Sequence, residues 1–176
     1  MTPNLLHAVR PREVTVTLLG QRWRLSGHSA VDWIGGIGWD VDGLLGIMPG
    51  MVAGEQVEQL LDLSWEHADI DTRLLCAAQA AIGKAAGRDW IWAYNLSLKC
   101  LHGWQYFNGV MLRHGVRAEE VSYPDWLDAV YMLLWERSDE SDRKALDFEL
   151  MLPPKNMHAV PSAASSRKML EAFAAD

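Results

Sequence analysis

Apolar and polar residues alternate from Val14 to Leu25. Val14, Val16 and Leu18 are separated by Thr15 and Thr17, the period of a half-buried strand. Leu19-Gly20-Gln21 supplies a turn, and Trp23 and Leu25 alternate with Arg22 and Arg24 on the return. The pattern predicts a β-hairpin with one wet face. A two-stranded hairpin is marginal in water, so it must lean on helices or pair with another chain. Its open edge is a template for docking.

Beyond the hairpin the period becomes helical. Ser29 is positioned to cap a short helix through Ala30, Val31, Asp32, Trp33 and Ile34, which Gly35-Gly36-Ile37-Gly38 then breaks. Met48-Pro49-Gly50-Met51 predicts a second break. Residues 55–66 place Val57, Leu60, Leu61 and Trp65 on one helical face. Asp69 or Asp71 opens the next helix, which carries Leu74, Leu75, Ala78, Ile82 and Ala85 and stops at Gly87. Its many alanines permit close helix approach. From Asp89 to Leu112 apolar side chains lie almost all round, which predicts the central helix of a bundle. Gly103 and Gly109 are where it bends or where a neighbour approaches closely. Ser122-Tyr123-Pro124-Asp125 is a helix start with a capping serine, an early proline and an acid three residues after the cap. Trp126, Leu127, Val130, Leu133 and Leu134 follow at helical spacing. The charged run 136–143 reads as a solvated helix junction, and Pro153-Pro154 as the end of the folded part. The fold expected is mainly α, a helical bundle with an N-terminal β-hairpin. Residues 1–12 form an arm, 13–154 a single domain and 155–176 a flexible Pro/Ala/Ser-rich tail.

Composition adds two constraints. The chain has 176 residues and a net charge of −7, so free nucleic acid, which is bound through Lys and Arg, is a poor partner. Nine tryptophans are many for this length, and indole is a residue of cores and of interfaces alike. Trp90, Trp92, Trp104, Trp126 and Trp135 sit in strongly apolar helices and read as core. Trp33 and Trp39 flank the glycine-rich break. With Ile37, Met48 and Met51 they form the candidate partner-binding surface, because methionine-bearing, turn-rich surfaces re-pack around varied apolar partners.

Chemistry is sparse. The six histidines form no two-histidine zinc motif, and a metal at Glu66-His67-Ala68-Asp69 would need further ligands from elsewhere. There is no Gly-x-Ser-x-Gly elbow. Cys100 and His102 stand two apart on a helix and point in different directions. The reading is no enzyme, with no catalytic, cofactor-binding or metal residues. Cys76 and Cys100 have no partner at metal or redox spacing and read as reduced core residues. The first residues have no apolar core of a signal peptide, and no apolar run approaches a membrane span. A cytoplasmic protein that does not contact membrane is expected.

Several stretches resemble one family. Gly87-Arg88-Asp89-Trp90-Ile91-Trp92-Ala93, Gly109-Val110-Met111-Leu112-Arg113-His114-Gly115-Val116 and Trp126-Leu127-Asp128-Ala129-Val130-Tyr131-Met132-Leu133-Leu134 are similar to the middle of the tail assembly chaperones of siphophages that infect actinobacteria. Phe148-Glu149-Leu150-Met151-Leu152-Pro153-Pro154 resembles their close. Gly20-Gln21-Arg22-Trp23, Ala30-Val31-Asp32-Trp33 and Met48-Pro49-Gly50-Met51 resemble their front end. The likeness spans most of residues 14–154. It implies a protein of the host cell cytoplasm that binds the tape measure protein and helps the tail tube protein assemble around it. It also implies a longer frameshifted product, and it transfers no site residues. Homo-oligomerisation stays open. The alternatives are a structural virion protein (a head–tail connector or minor tail component, with the hairpin edge pairing in a ring) and a small DNA-binding helical regulator.

Overall fold

The computed structural model describes residues 13–27, 29–38 and 41–154, without the side chains of Val41 and Asp42. The expected arm 1–12, the tail 155–176 and Trp39 lie outside these residues. The described chain is a two-stranded hairpin followed by eight helices, a mainly α bundle as its periodicity predicts.

Strands β1 (Val14–Leu18) and β2 (Gln21–Leu25) pair antiparallel, with Leu18 opposite Gln21 across a two-residue turn. Leu19 and Gly20 have φ of 53° and 76°. Two successive positive φ values match the right-handed twist of the strands, although only glycine takes that conformation without strain. Val14, Val16, Leu18, Trp23 and Leu25 are buried, and Trp23 Nε1 donates to the Leu18 carbonyl at 3.2 Å. This face lies on α4 (Ile70–Ala86), where Lys84 Nζ donates to the Thr15 carbonyl at 2.8 Å. Ala77, Ala78, Ala81, Ala85 and Ala86 are the small residues that permit the approach, and all are buried.

The helix starts follow their caps. Ser29 and Asp32 close a reciprocal capping box at α1 (Ala30–Ile37). Asp89 accepts from the Ile91 and Trp92 amides at α5 (Trp90–His102). Ser122 accepts from the Asp125 amide at α7 (Tyr123–Glu136). Each satisfies donors that a helix N-terminus leaves unpaired. Asp69 stands at the α4 N-cap, but its carboxylate turns to Arg73 at 2.8 Å.

Four sequence expectations need correction. The helix begun at Ser29 runs through Gly35 and Gly36 to Ile37 and stops only at Gly38, where φ is 62°. Met48-Pro49-Gly50-Met51 does not break the chain; it is the last turn of α2 (Val41–Met51). Leu44, Leu45, Ile47, Met48 and Met51 are core, and that burial outweighs one hydrogen bond lost at a proline near the helix end. The long central helix is two, α5 and α6 (Trp104–Arg113), parted at Gly103. A Cβ on Gly103 would lie 2.6 Å from the Phe107 ring, so the missing side chain is what lets that ring fold back. Only residues 137–139 of the charged run form a junction; Glu140 to Arg143 is the first turn of α8 (Glu140–Met151), capped by Asp139.

One hydrophobic cluster joins the hairpin to all eight helices of the described residues, α6 through Phe107 and Met111 and α8 through Leu146 and Leu150. Helices α4 and α5 are its hub: α4 touches β1, α2, α5 and α7, and α5 touches α1, α4, α6, α7 and α8. Helix α3 (Gly54–Glu66) contributes Val57 and Leu60 at the periphery.

Candidate interaction surface

Of the five residues proposed from sequence as a partner-binding surface, four are seated in the core. Trp33, Ile37, Met48 and Met51 are buried, and Trp39 is outside the described residues. Two glycines beside these residues, Gly27 and Gly43, are packing devices. A Cβ on Gly27 would fall 2.2 Å from Trp33 Nε1, and one on Gly43 would fall 2.3 Å from the Ile37 carbonyl oxygen. Backbone without side chains lets α1, α2 and the strand exit close over the indole. Trp33 also stacks on Tyr123, with ring centroids 5.7 Å apart. What opens to solvent beside α1 and α2 is a cavity of about 300 Å³ lined by Gly36, Gly46, Gly50, Ser26, Asp32 and one wall of Ile47 and Met51.

The tryptophans read as core divide. Trp126 is fully buried. Trp90, Trp92 and Trp104 are half-buried against the core. Trp135 is 36% exposed, and Trp65, expected on a buried face, is 60% exposed.

Polar groups inside the bundle are few and used structurally. Ser97 Oγ and Tyr123 OH share a 2.8 Å hydrogen bond between α5 and α7, and Tyr123 OH also reaches the Ala93 carbonyl at 3.5 Å. Burial pushes the Tyr123 hydroxyl above its ordinary pKa, although Ser97 counters it. Cys100 is buried as expected, and desolvation pushes its thiol up to about 12. The Trp126 indole N–H has no hydrogen bond of good geometry, but it lies near enough to the Cys100 sulfur to oppose that shift slightly. A thiol held neutral is a poor nucleophile. His102 Nδ1 contacts the Leu98 carbonyl at 2.7 Å, not Cys100. Cys76 is exposed on α4, contrary to the core reading, because it lies off the Leu74–Ala78–Ala81–Ala85 face. Asp71, in the first turn of α4, is buried with Oδ1 unpartnered; the positive end of the helix dipole favours a carboxylate there. Among the described residues no three His, Cys, Asp or Glu side chains converge to hold a metal ion, and no helix is long and apolar enough to cross a membrane.

The exposed apolar surface gathers at the other end of the chain, on the helical hairpin of α7 and α8. Met132 and Trp135 are exposed one turn apart on α7. Phe148, 67% exposed, and Met151 do the same on α8, and Leu152 follows. Cross-links fix the antiparallel register. Tyr131 OH donates to Asp147 at 2.7 Å, and Arg143 Nε donates to the Trp135 carbonyl at 2.9 Å. The Arg143 guanidinium also lies 3.6 Å from the Trp135 ring centroid. At the same tip Arg137 covers Tyr106 of α6, whose ring borders a groove of about 560 Å³ along residues 101–106.

The same hairpin carries most of the net charge. Residues 123–152 hold eight acids against three bases, a net of −5 in a chain of −7. Two of the acids are answered from the body of the bundle: Arg88 pairs with Asp128 at 2.6 Å and Lys99 with Glu149 at 2.7 Å. The hairpin is held to the bundle by Leu146 and Leu150, both buried, and by Asn95. The Asn95 amide nitrogen lies 3.3, 3.0 and 2.8 Å from the carbonyl oxygens of Glu149, Leu150 and Leu152, the unpaired end of α8.

No protein-family model, curated protein or solved structure matches this chain.

Proposed function

We propose that this protein binds other polypeptides and carries out no bond-making chemistry, and that it acts as a phage tail assembly chaperone holding the tape measure protein while the tail tube protein assembles. The observation that carries the binding role is the cluster of exposed Met, Trp and Phe side chains on the acidic α7–α8 hairpin. Exposed apolar patches with polar rims mark protein interaction sites, and a net negative body keeps such a surface soluble. The choice of partner rests on the sequence resemblance. A holdase must offer apolar area to a helix that would otherwise aggregate and must release it to assembly. Flexible methionines beside two aromatic rings suit that task.

Co-expression with the tape measure protein tests the reading. A soluble complex that co-purifies is expected, with the tape measure protein in the pellet when expressed alone. A tape measure protein equally insoluble with and without this chain refutes it. A second reading, a structural virion protein, is favoured by the outer side of β2, where Arg22 and Arg24 are exposed and no further strand pairs among the described residues. Its mark is retention of the chain in purified virions.

A further inference from the structure

We infer that the outer face of the α7–α8 hairpin docks a basic amphipathic helix of the partner polypeptide, an inference that rests on the protein-binding reading above. Three observations converge. Met132 and Trp135 on α7, and Phe148 and Met151 on α8, are two exposed apolar pairs, each one helical turn apart, that offer area to the apolar face of a docking helix. They lie on two antiparallel helices whose register is fixed at Tyr131–Asp147 and Trp135–Arg143. By that register Trp135 and Met132 lie level with the first half of α8 and Phe148 and Met151 stand in its second half, so the four side chains follow one another along α8, whose 12 residues span about 18 Å, the length of a partner helix of three to four turns.

Charge then selects the partner. The bases of the hairpin, Arg137, Arg143 and Lys144, are all at or near its tip. Its open end carries Asp125, Asp128, Asp147 and Glu149 with no Lys or Arg of its own. Even with Arg88 and Lys99 counted against Asp128 and Glu149, the surface stays negative. An acidic partner helix would meet like charge along the open end. A helix with Lys or Arg flanking its apolar stripe would gain Coulomb attraction there, and would find the carboxylates partly solvated and easily reached. The Arg143–Trp135 stack keeps that indole in place, so one anchor is ordered before the partner arrives.

The test uses the full chain and two labelled helical peptides of about 18 residues, with the same Leu/Ala face and flanks of either Lys or Glu. Fluorescence anisotropy should show the Lys peptide binding at least about tenfold more tightly than the Glu peptide. Raising salt to about 0.5 M should weaken it, since exposed charges are screened. Phe148→Ser and Met151→Ser, both at exposed positions, should each weaken the Lys peptide by about tenfold, and Trp65→Ser on α3 should leave it unchanged. Equal binding of both peptides, no binding of either, or full binding by Phe148→Ser and Met151→Ser overturns the inference. If the tape measure protein still co-purifies in any of those cases, the chaperone reading stands and only the hairpin assignment falls. If the Lys peptide binds as expected but the tape measure protein is not retained, the hairpin assignment stands and the chaperone reading falls.

Discussion

Replacing Asn95 by aspartate should loosen α8 from the bundle while leaving the remaining helices packed. The asparagine amide is a two-proton donor aimed at three carbonyl oxygens, those of Glu149, Leu150 and Leu152, at 3.3, 3.0 and 2.8 Å. Aspartate has the same shape and accepts hydrogen bonds without donating any. Two donated bonds are lost, each with a net value of about 0.5–1.5 kcal/mol. A negative charge is then set at the negative end of the α8 dipole, costing about 0.3–1 kcal/mol more. The total is about 1.3–4 kcal/mol. Asn95→Ala should cost less, about 1–2 kcal/mol, because the partly exposed carbonyls accept water once the amide is gone. The measurement is native-state amide exchange, which reads the local opening of α8 separately from global unfolding. Protection should fall selectively in residues 140–151.

The pH dependence gives an internal check. An aspartate facing carbonyls has its folded pKa raised above its unfolded value. Its protonated form is the favoured one, so the variant should regain stability relative to wild type as pH falls through the ordinary carboxylate range, and lose it as pH rises. Lys99, four residues away and already paired with Glu149 at 2.7 Å, is placed to reduce the penalty. Unchanged α8 protection in Asn95→Asp would refute the assignment of this amide as the clasp of α8, and with it the view that α8 is held by a few named contacts.

Other perturbations read other parts of the fold. Tyr123→Phe strands the Ser97 hydroxyl between α5 and α7 and should cost about 1–2 kcal/mol in urea unfolding, with Ser97→Ala recovering part of it in the double variant. Thiol labelling of the native chain should modify Cys76 alone, Cys100 following only on unfolding. Because the folded Cys100 thiol is raised from 9.0 to about 12, it contributes stability that is complete below about pH 9 and is lost as pH rises towards 12; Cys100→Ala should flatten that alkaline decline. Gly43→Ala drives a methyl against the Ile37 carbonyl and Gly38, both backbone, and should destabilise by about 1–3 kcal/mol in thermal or urea melts.

What the sequence disclosed was local. The hairpin alternation, the caps at Ser29 and Ser122 and the helix start at Asp89 are decided within a few residues, and they are found where the pattern puts them. Helix α8 escaped because its apolar residues misstate the period. Leu146, Phe148 and Leu150 stand two apart, as in a strand, but only Leu146 and Leu150 face the core; Phe148 points outward, so the helical stripe is two residues wide and hidden. Gly35, Gly36, Pro49 and Gly50 lie inside helices although propensity alone makes them breaks, because packing overrides it. The sites of Gly27 and Gly43 show the missing quantity: a close approach to Trp33 or to another backbone, which no single-chain pattern encodes.

The tryptophans expose the same limit from the other side, and they bear on function. Indoles in a glycine-rich stretch looked exposed because breaks are usually on the surface. Glycine removes the obstacle to burying so large a ring, so Trp33 became core. Indoles in dense apolar helices looked buried, yet a helix on the outside of a bundle can bury only one stripe. Once Trp126, Val130 and Leu127 fill the stripe of α7, Trp135 and Met132 must lie off it. The apolar surplus of the sequence is therefore bound to surface on outer faces: α8 packs chiefly on α5, while α7 turns one side to α1, α4 and α5 and leaves the other open. A binding face placed there rests on contacts, Asn95, Leu146 and Leu150, that differ from those holding the hairpin and α4. Variation of its outer residues can retune a partner without disturbing the core.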